Sequence, residues 1–592
     1  MCGIAAIFAY DSNAPGVDEG ELTAIRDHMT PRGPDGAGIW FDEKRRVGLA
    51  QRRLAIIDLS EGGAQPMLWP ERKLAITFNG EIYNYRELRA ALEAKGHVFK
   101  STSDTEVLLH LYTEHGDSMV EKLRGMFAFA LWDGARNGLL LARDPFGIKP
   151  LYVADDGKTL RVASQVKALL AGGKISVTPD AAGQVGFFLW GHIPEPFTLH
   201  REIRALPAGA TRWIGADGRQ NETKLGTVDE LLVRGECDSI EVVTPPLPEA
   251  LRDSVAHHLI ADVPVGVFLS SGLDSTMLAA LAAEQGGTLR TVTLGFEEFR
   301  GTANDETPLA ELVAKQYGAQ HQTIWVRRED FQGEAEKIFA AMDQPTTDGV
   351  NTYFVSLAAK RAGLKVALSG LGGDELFGGY PSFREVPRAA GALGFLGSPS
   401  AIGKGFRVVS APLMKRFTSP KYAGLLEYGG SFGGAYLLRR GMFMPWELPE
   451  FLDADLVRAG WNELQTLDRL DETISGLRAQ RAKVSALEMT WYMRNQLLRD
   501  SDWAGMAHSL EIRVPLVDIE LLRAVAPSLT TNPPTKRDMA DAPTQKLPPE
   551  ILNRPKTGFQ TPVREWMLAE NNQAERGLRG WAKHVFNHFS TS

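Results

Sequence analysis

The sequence predicts an α+β domain of antiparallel sheets followed by an α/β domain with a doubly wound parallel sheet and extra helices. Three observations carry this. The N-terminal third is rich in short apolar strands with few helices between them, among them GIAAIFAY, KLAITFNG, FAFALWD, GLLLARD and LRVAS. Beyond Pro246, strands alternate with helices, the pattern of a parallel sheet. Between them, residues 216–246 turn polar and then proline-rich (ADGRQNETKLG, TPPLPEA). The expected division is therefore a domain over 1–215, a linker over 216–246 and a domain over 247–592.

In the first part, VGLAQRRLAIIDL reads as a strand in which Arg53–Asp58 starts with a cation. Phe78–Asn84 reads as a strand end running into a turn. Ser103 and Glu106 have capping-box spacing and open a helix over 103–115, with Val107, Leu108, Leu111 and Tyr112 on one face. In the second part, PEALRDSVAHHLI is amphipathic, VGVFLS (265–270) is a strand, SGLDS a turn and TMLAALAAE a helix start. The strand RTVTLGF, the helix LAELVAKQYG and the strand LKVALSG follow. Beyond Tyr380 the chain reads as helical, with a Gly-rich irregular stretch around 388–436. No repeat of solenoid length is visible.

Composition excludes several classes. The 65 basic and 73 acidic residues among 592 leave a net charge of −8, which argues against nucleic-acid binding. A 44% hydrophobic and 23% charged chain is a folded one. Two cysteines, Cys2 and Cys237, rule out a disulfide scaffold and any zinc site built on three or four cysteines. They suit a reducing compartment, and a cytoplasmic location is expected. No apolar run approaches the ~18 residues of a membrane span, and the start lacks a basic region ahead of its apolar run. His584 and His588, one helical turn apart with no acidic neighbour, read as a solvated pair.

Cys2 opens the chemistry. With Met1 removed, its thiol and a free α-amine share one residue, and an α-amine pKa of about 7.7–8.0 suits a general base. Behind it come Arg32-Gly33-Pro34-Asp35-Gly36, Arg53-Leu54-Ala55-Ile56-Ile57-Asp58, Phe78-Asn79-Gly80-Glu81-Ile82-Tyr83-Asn84, Ser103-Asp104-Thr105-Glu106, GMFAFALWD and ARDPFGIKPLY. In this order they resemble the glutaminase domain of class II (N-terminal nucleophile) glutamine amidotransferases, which implies an αββα sandwich. The resemblance implies that Cys2 attacks the glutamine amide, forming a thioester and releasing ammonia. Asn79 and Gly80 would form the oxyanion hole, a feature whose loss typically costs ~10²–10³ in rate. Arg53 would pair with the glutamine α-carboxylate, Leu54 and Ile57 would line the site, and Asp104 and Glu81 would hold the α-amino group.

The second constellation begins at Leu269-Ser270-Ser271-Gly272-Leu273-Asp274-Ser275, a small-residue turn between a strand and a helix. Such a turn offers backbone N–H groups and a helix N-terminus to an anion. It lacks the GxxxxGK[ST] of a Walker loop. It is similar to the S-G-G-x-D-S pyrophosphate loop of ATP pyrophosphatases, with Ser271 in place of the first glycine. Asp262-Val263-Pro264-Val265-Gly266, Ser369-Gly370-Leu371-Gly372-Gly373-Asp374-Glu375-Leu376-Phe377-Gly378-Gly379-Tyr380, Met506–Pro515 and Arg554–Phe559 follow. Behind a class II glutaminase domain, this series looks like the glutamine-hydrolysing asparagine synthetase family over most of residues 2–565.

That resemblance implies adenylation of a carboxylate by ATP, then displacement of AMP by ammonia. Ser270, Ser271, Gly272 and Ser275 would cradle pyrophosphate. Leu269, Leu294, Ser369 and Gly370 would line the adenine and ribose site. Asp274 and Asp374 would hold Mg²⁺, and Lys556 would neutralise developing phosphate charge. Glutamine, ATP and a carboxylate acceptor, aspartate first, are the expected partners, with no nucleic acid and no membrane. An internal apolar channel would carry ammonia between domains, and homodimers are common in the family.

Leu371 departs from the family, which commonly has an acid there. Leucine neither accepts a proton nor binds a cation. Either Glu375 or Tyr380 supplies the function, or the acceptor is another carboxylate, such as a uronic acid of a surface polysaccharide or a natural-product acid. A catalytically silent relative acting as a binding module is a third reading, opposed by intact Cys2, Asn79, Asp274, Asp374 and Lys556. Pro31, Gln51, Gln165 and Gly505 are milder departures, and the segment 343–356 also differs near the expected acceptor pocket.

Overall fold

The computed structural model describes residues 2–224, 226–237, 244–397, 399–414, 419–554, 562, 566 and 577–591. Residues 3–224 build two six-stranded, wholly antiparallel sheets. The first runs Ile203–Ala205, Tyr152–Asp155, Thr159–Ala163, Gly3–Ala9, Val47–Arg53, Gly36–Phe41. The second runs Gln220–Lys224, Ala210–Gly215, Gly138–Arg143, Gly125–Asp133, Leu74–Ile82, Met67–Trp69.

Burial explains the unbroken apolar run of Gly3–Ala9. Ile4, Ala6 and Phe8 join Leu49, Ala128 and Leu141 in the layer between the sheets. Ala5, Ile7 and Ala9 join Leu22 and Ile25 of the helix Glu19–His28, and Met29 at its C-cap, on the outside. Successive side chains thus serve opposite faces, and both faces are covered. The helix Asp104–His115 covers the other sheet, with Val107, Leu108 and Leu111 against Ile76, Phe78 and Phe129. The layers are αββα.

Three local readings differ from expectation. The strand ends at Arg53, and residues 54–58 leave the sheet. They bind the second domain instead: Asp58 N–H donates to the Asp262 carboxylate at 2.8 Å, and Asp262 N–H donates to the Ile56 carbonyl at 2.9 Å. Asn79 and Gly80 lie within the strand Leu74–Ile82, not in a turn. Ser103 does cap its helix, accepting from Thr105 N–H, but Glu106 accepts from the N–H groups of Lys100 and Ser101, so no reciprocal box closes.

Within 216–246, Gln220–Lys224 completes the second sheet and the helix Val228–Cys237 packs on helices of the second domain. That domain holds five parallel strands in the order Gln320–Val326, Arg290–Phe296, Val265–Phe268, Val366–Leu368, Glu511–Arg513. Its first strand is central, so the chain winds outward in both directions. The strands Val265–Phe268 and Val366–Leu368 flank the switch point, where the two following loops open side by side.

The described residues of the stretch 388–436 are largely helical rather than irregular, with helices Ser382–Leu393, Ala401–Met414, Leu425–Tyr428 and Phe432–Arg440. Its glycines permit close packing: a Cβ on Gly403 would lie 2.2 Å from the Leu426 carbonyl oxygen. His584 on the helix Arg579–Thr591 is exposed, as expected, whereas His588 is half-buried and stacked on Phe339 at 4.3 Å. No helix of the described residues is long and apolar enough to cross a membrane.

Two candidate active sites

Cys2 immediately precedes the strand Gly3–Ala9 of the first sheet, and Asn79 sits opposite it in the second. The Cys2 N–H donates to Asn79 Oδ1 at 2.9 Å, which turns the side-chain amide of Asn79 so that its buried Nδ2 has no hydrogen-bond partner among the described residues. Burial pushes the Cys2 thiol up, against the pull of the nearby chain terminus and of the Leu54 N–H directed at it. Gly80 must be glycine because a Cβ there would lie 2.1 Å from the Met126 carbonyl oxygen. Cys2, Asn79 and Leu54 are thus brought together as a buried thiol beside a free amide donor.

Arg53 is held by the Ser60 carbonyl at 2.9 Å and by the Asp58 carbonyl. Ile57 is buried nearby in the same stretch. Asp104 accepts from Ile82 N–H at 3.0 Å, and burial pushes its carboxyl up to about 6. Glu81 points into a buried cluster shared with the second domain: its carboxylate lies 3.3 Å from the Arg513 guanidinium. Burial, with Glu511 adding like charge, holds Glu81 well above the usual carboxylate range.

The second site is a cavity of about 290 Å³ at the switch point. It is lined by Leu269, Ser270, Gly272, Asp274, Ser275, Leu294, Ser369, Gly370, Leu371, Asp374, Glu375 and Tyr380, all expected from sequence. The helix Leu273–Glu284 starts inside the motif, so Asp274 and Ser275 lie in its first turn. The Gly272 N–H donates to Ser270 Oγ, and the Ser270 and Ser275 hydroxyls lie 2.9 Å apart. Ser271 does not line the cavity; it is buried beside Glu306. Lys556 lies outside the described residues.

Tyr380 donates its hydroxyl to Glu375 at 2.9 Å. Burial, with Asp374 adding repulsion, pushes Glu375 up to about 7. A carboxyl raised toward neutrality and hydrogen-bonded to a phenol therefore stands beside Leu371. Of the unusual 343–356 segment, Asp343 caps the helix Val166–Ala171 by accepting from Val166 and Lys167 N–H, while Asp348, Asn351, Thr352 and Val355 line the cavity.

Sequence reading missed several residues. Lys536 extends between Asp274 and Asp374, 2.9 Å from the latter. Burial opposes its charge, but the two carboxylates overcome this and raise its pKa. An ammonium in that place shows that the two aspartates form one site suited to a cation, and two carboxylates are a donor set that fits Mg²⁺. The local signal was a Thr535–Asp538 capping box that sets Lys536 at a helix start. Asp500 and Ser501 also line the cavity. One residue further, Asp502 pairs bidentately with Arg32 at 2.6 and 3.0 Å, and Arg32 Nε donates to the Cys2 carbonyl at 3.1 Å. One buried guanidinium thus joins the backbone of Cys2 to the helix Arg499–Met506 beside the other cavity.

An αββα glutaminase-type layer holding a buried thiol, joined to a doubly wound domain with a phosphate-type loop, defines an ATP-dependent amidotransferase ligase. Residues 1–224 match the family model described as glutamine amidotransferase domain, and residues 247–588 the one described as asparagine synthase. Asparagine synthetase [glutamine-hydrolyzing] 1 of Bacillus subtilis (strain 168) is 33% identical over 98% of this chain and 90% of its own. A putative asparagine synthetase [glutamine-hydrolyzing] of Mycobacterium bovis is 34% identical over 96% of this chain and 89% of its own. The chain belongs to the asparagine synthase family. Among solved structures, the allosteric regulatory enzyme of purine biosynthesis matches 55% of this chain and 80% of its own, with 17% identity and a TM-score of 0.30.

Proposed function

We propose that this protein transfers the amide nitrogen of glutamine to a carboxylate acceptor, with aspartate the first candidate and asparagine the product. The single observation that supports this most is the free Asn79 Nδ2 held beside the Cys2 thiol. An oxyanion donor must be preorganised and unoccupied before substrate arrives. Cys2 attacks the glutamine amide, the Cys2 α-amine takes the thiol proton, and Asn79 Nδ2 with the Gly80 N–H stabilises the tetrahedral oxyanion. Arg53 orients the glutamine α-carboxylate, Leu54 and Ile57 shape the site, and Asp104 faces its α-amine, whereas Glu81, expected there too, is directed at Arg513 instead. The division into a glutaminase domain over 1–215 and a synthetase domain from 247 is part of the same reading.

In the cavity, Ser270, Gly272 and Ser275 hold the ATP phosphates, Ser271 being turned away toward Glu306, and Leu269, Leu294, Ser369 and Gly370 hold the nucleoside. Asp274 and Asp374 hold Mg²⁺, which supplies charge neutralisation on the phosphates when bound. Lys556 adds a further cation. The acceptor carboxylate attacks the α-phosphate, pyrophosphate leaves, and ammonia displaces AMP. Glu375, poised near neutrality, takes a proton from the attacking ammonia, relayed by Tyr380. Leu371 in the lining favours a second reading, in which the same chemistry runs on another carboxylate, such as a uronic acid.

The test supplies glutamine, ATP, Mg²⁺ and aspartate to the purified chain and measures glutamate, asparagine, AMP and pyrophosphate. Asparagine at one-to-one with AMP is expected, and Cys2→Ala should retain synthesis only with ammonium. Glutamate without asparagine or AMP would shift the acceptor to the second reading. No turnover of either half would overturn the proposal.

A further inference from the structure

We propose that the helix Ala401–Met414 docks on an anionic membrane surface. A helix on a globular protein normally turns its apolar stripe inward. This one is inverted. Ile402, Phe406 and Val409, spaced i, i+4 and i+7, form one stripe and are 75%, 48% and 82% exposed. Val408 and the neighbouring Phe395 are also exposed. The inward side is small and polar: Gly403 abuts the backbone of Leu426 and Glu427, and Arg407 pairs with the Glu427 carboxylate. Scattered apolar side chains on a surface need no explanation, but a helical stripe of large ones does.

Charge identifies the occupant. Between residues 386 and 426 the sequence holds Arg388, Lys404, Arg407, Lys415, Arg416 and Lys421 and no Asp or Glu, within a chain of net charge −8. Arg407 is offset by Glu427 and Lys421 is turned onto the Arg439 carbonyl, and the excess of cations that remains beside the exposed apolar stripe is the pattern of an interfacial helix that lies in the headgroup region of anionic lipid. A second copy of the chain fits poorly, because a two-fold pairing would set this basic segment against itself. The contact is peripheral and reversible, and it revises the expectation of no membrane contact. It is independent of the acceptor's identity.

The test mixes the full chain with vesicles of phosphatidylcholine alone or with a quarter phosphatidylglycerol, and reads the fraction that sediments. At low salt, at least tenfold more protein should sediment with the anionic vesicles. The gain should fall severalfold at ~0.5 M salt, where charges are screened. The triple variant Ile402→Glu, Phe406→Glu, Val409→Glu alters only exposed side chains and should lose the binding while keeping ammonia-dependent turnover. A single substitution, Val409→Asp, repeats the measurement if the triple variant misfolds. Absence of binding to anionic vesicles at low salt, equal binding to both vesicles, or binding unchanged in the variants would overturn the proposal. So would a parent dimer that the variants dissociate without any vesicle binding, or capture of a soluble acidic protein in place of lipid.

Discussion

Replacing Asp502 by Asn should impair glutamine use far more than ammonia use. Asp502 and Arg32 are both almost fully buried, and their two contacts of 2.6 and 3.0 Å span the domains. Breaking a buried pair by neutralising one partner costs about 3–5 kcal/mol, because the other charge stays buried and uncompensated. Arg32 also holds the Cys2 carbonyl, so part of that cost falls on the placement of the thiol. If only about 1.4 kcal/mol reaches Cys2, kcat/KM for glutamine falls roughly tenfold. Glutamate release should show this loss, while pyrophosphate release with ammonium and acceptor changes less than about threefold. The double variant Arg32→Gln, Asp502→Asn removes both charges and should recover most of the lost stability but not the glutamine rate. Equal losses in both assays, or an unchanged glutamine rate despite lower stability, would refute the reasoning.

Two further outcomes follow from the cavity. Glu375 sits at about 7 in the folded protein, against an ordinary value near 4.3, so the folded state keeps a proton that the unfolded state loses between these values. Its contribution is fully present below about pH 4.3 and is lost as pH rises through 7. Glu375→Gln should therefore gain stability relative to the parent on going from pH 5 to pH 8, by up to roughly 3 kcal/mol in urea unfolding; a pH-independent difference would contradict this. Lys536→Met removes the cation between Asp274 and Asp374. Without that competitor, millimolar Mg²⁺ should raise the midpoint of thermal unfolding more in the variant than in the parent, and an equal rise would count against one shared cation site.

Much of the fold was legible because it is written in local periodicity. Gly3–Ala9 is an unbroken apolar run and Leu74–Phe78 a largely apolar one, the alternation after Pro246 signals parallel strands, and Ser-Gly-rich loops fall where such strands end. Errors arose where tertiary contacts overrode a local pattern. LAIID after Arg53 has strand composition but is drawn out of the sheet by Asp262. Gly403 and Gly433, in the Gly-rich stretch around 388–436, read as chain breakers but serve close helix packing.

The candidate sites divide in the same way. Cys2, Asn79, Asp274 and Asp374 sit in short motifs whose resemblance to the family already implied their roles. Lys536 between two aspartates, Arg32 on Asp502, Glu81 on Arg513 and the outward apolar stripe of Ala401–Met414 belong to the tertiary structure alone. Arg32 and Asp502 are 470 residues apart, and Lys536 lies 262 residues from Asp274. Periodicity reports the environment within a turn or a strand. Which buried charges meet depends on how whole layers dock, and that docking is set by the summed packing of surfaces no local window contains.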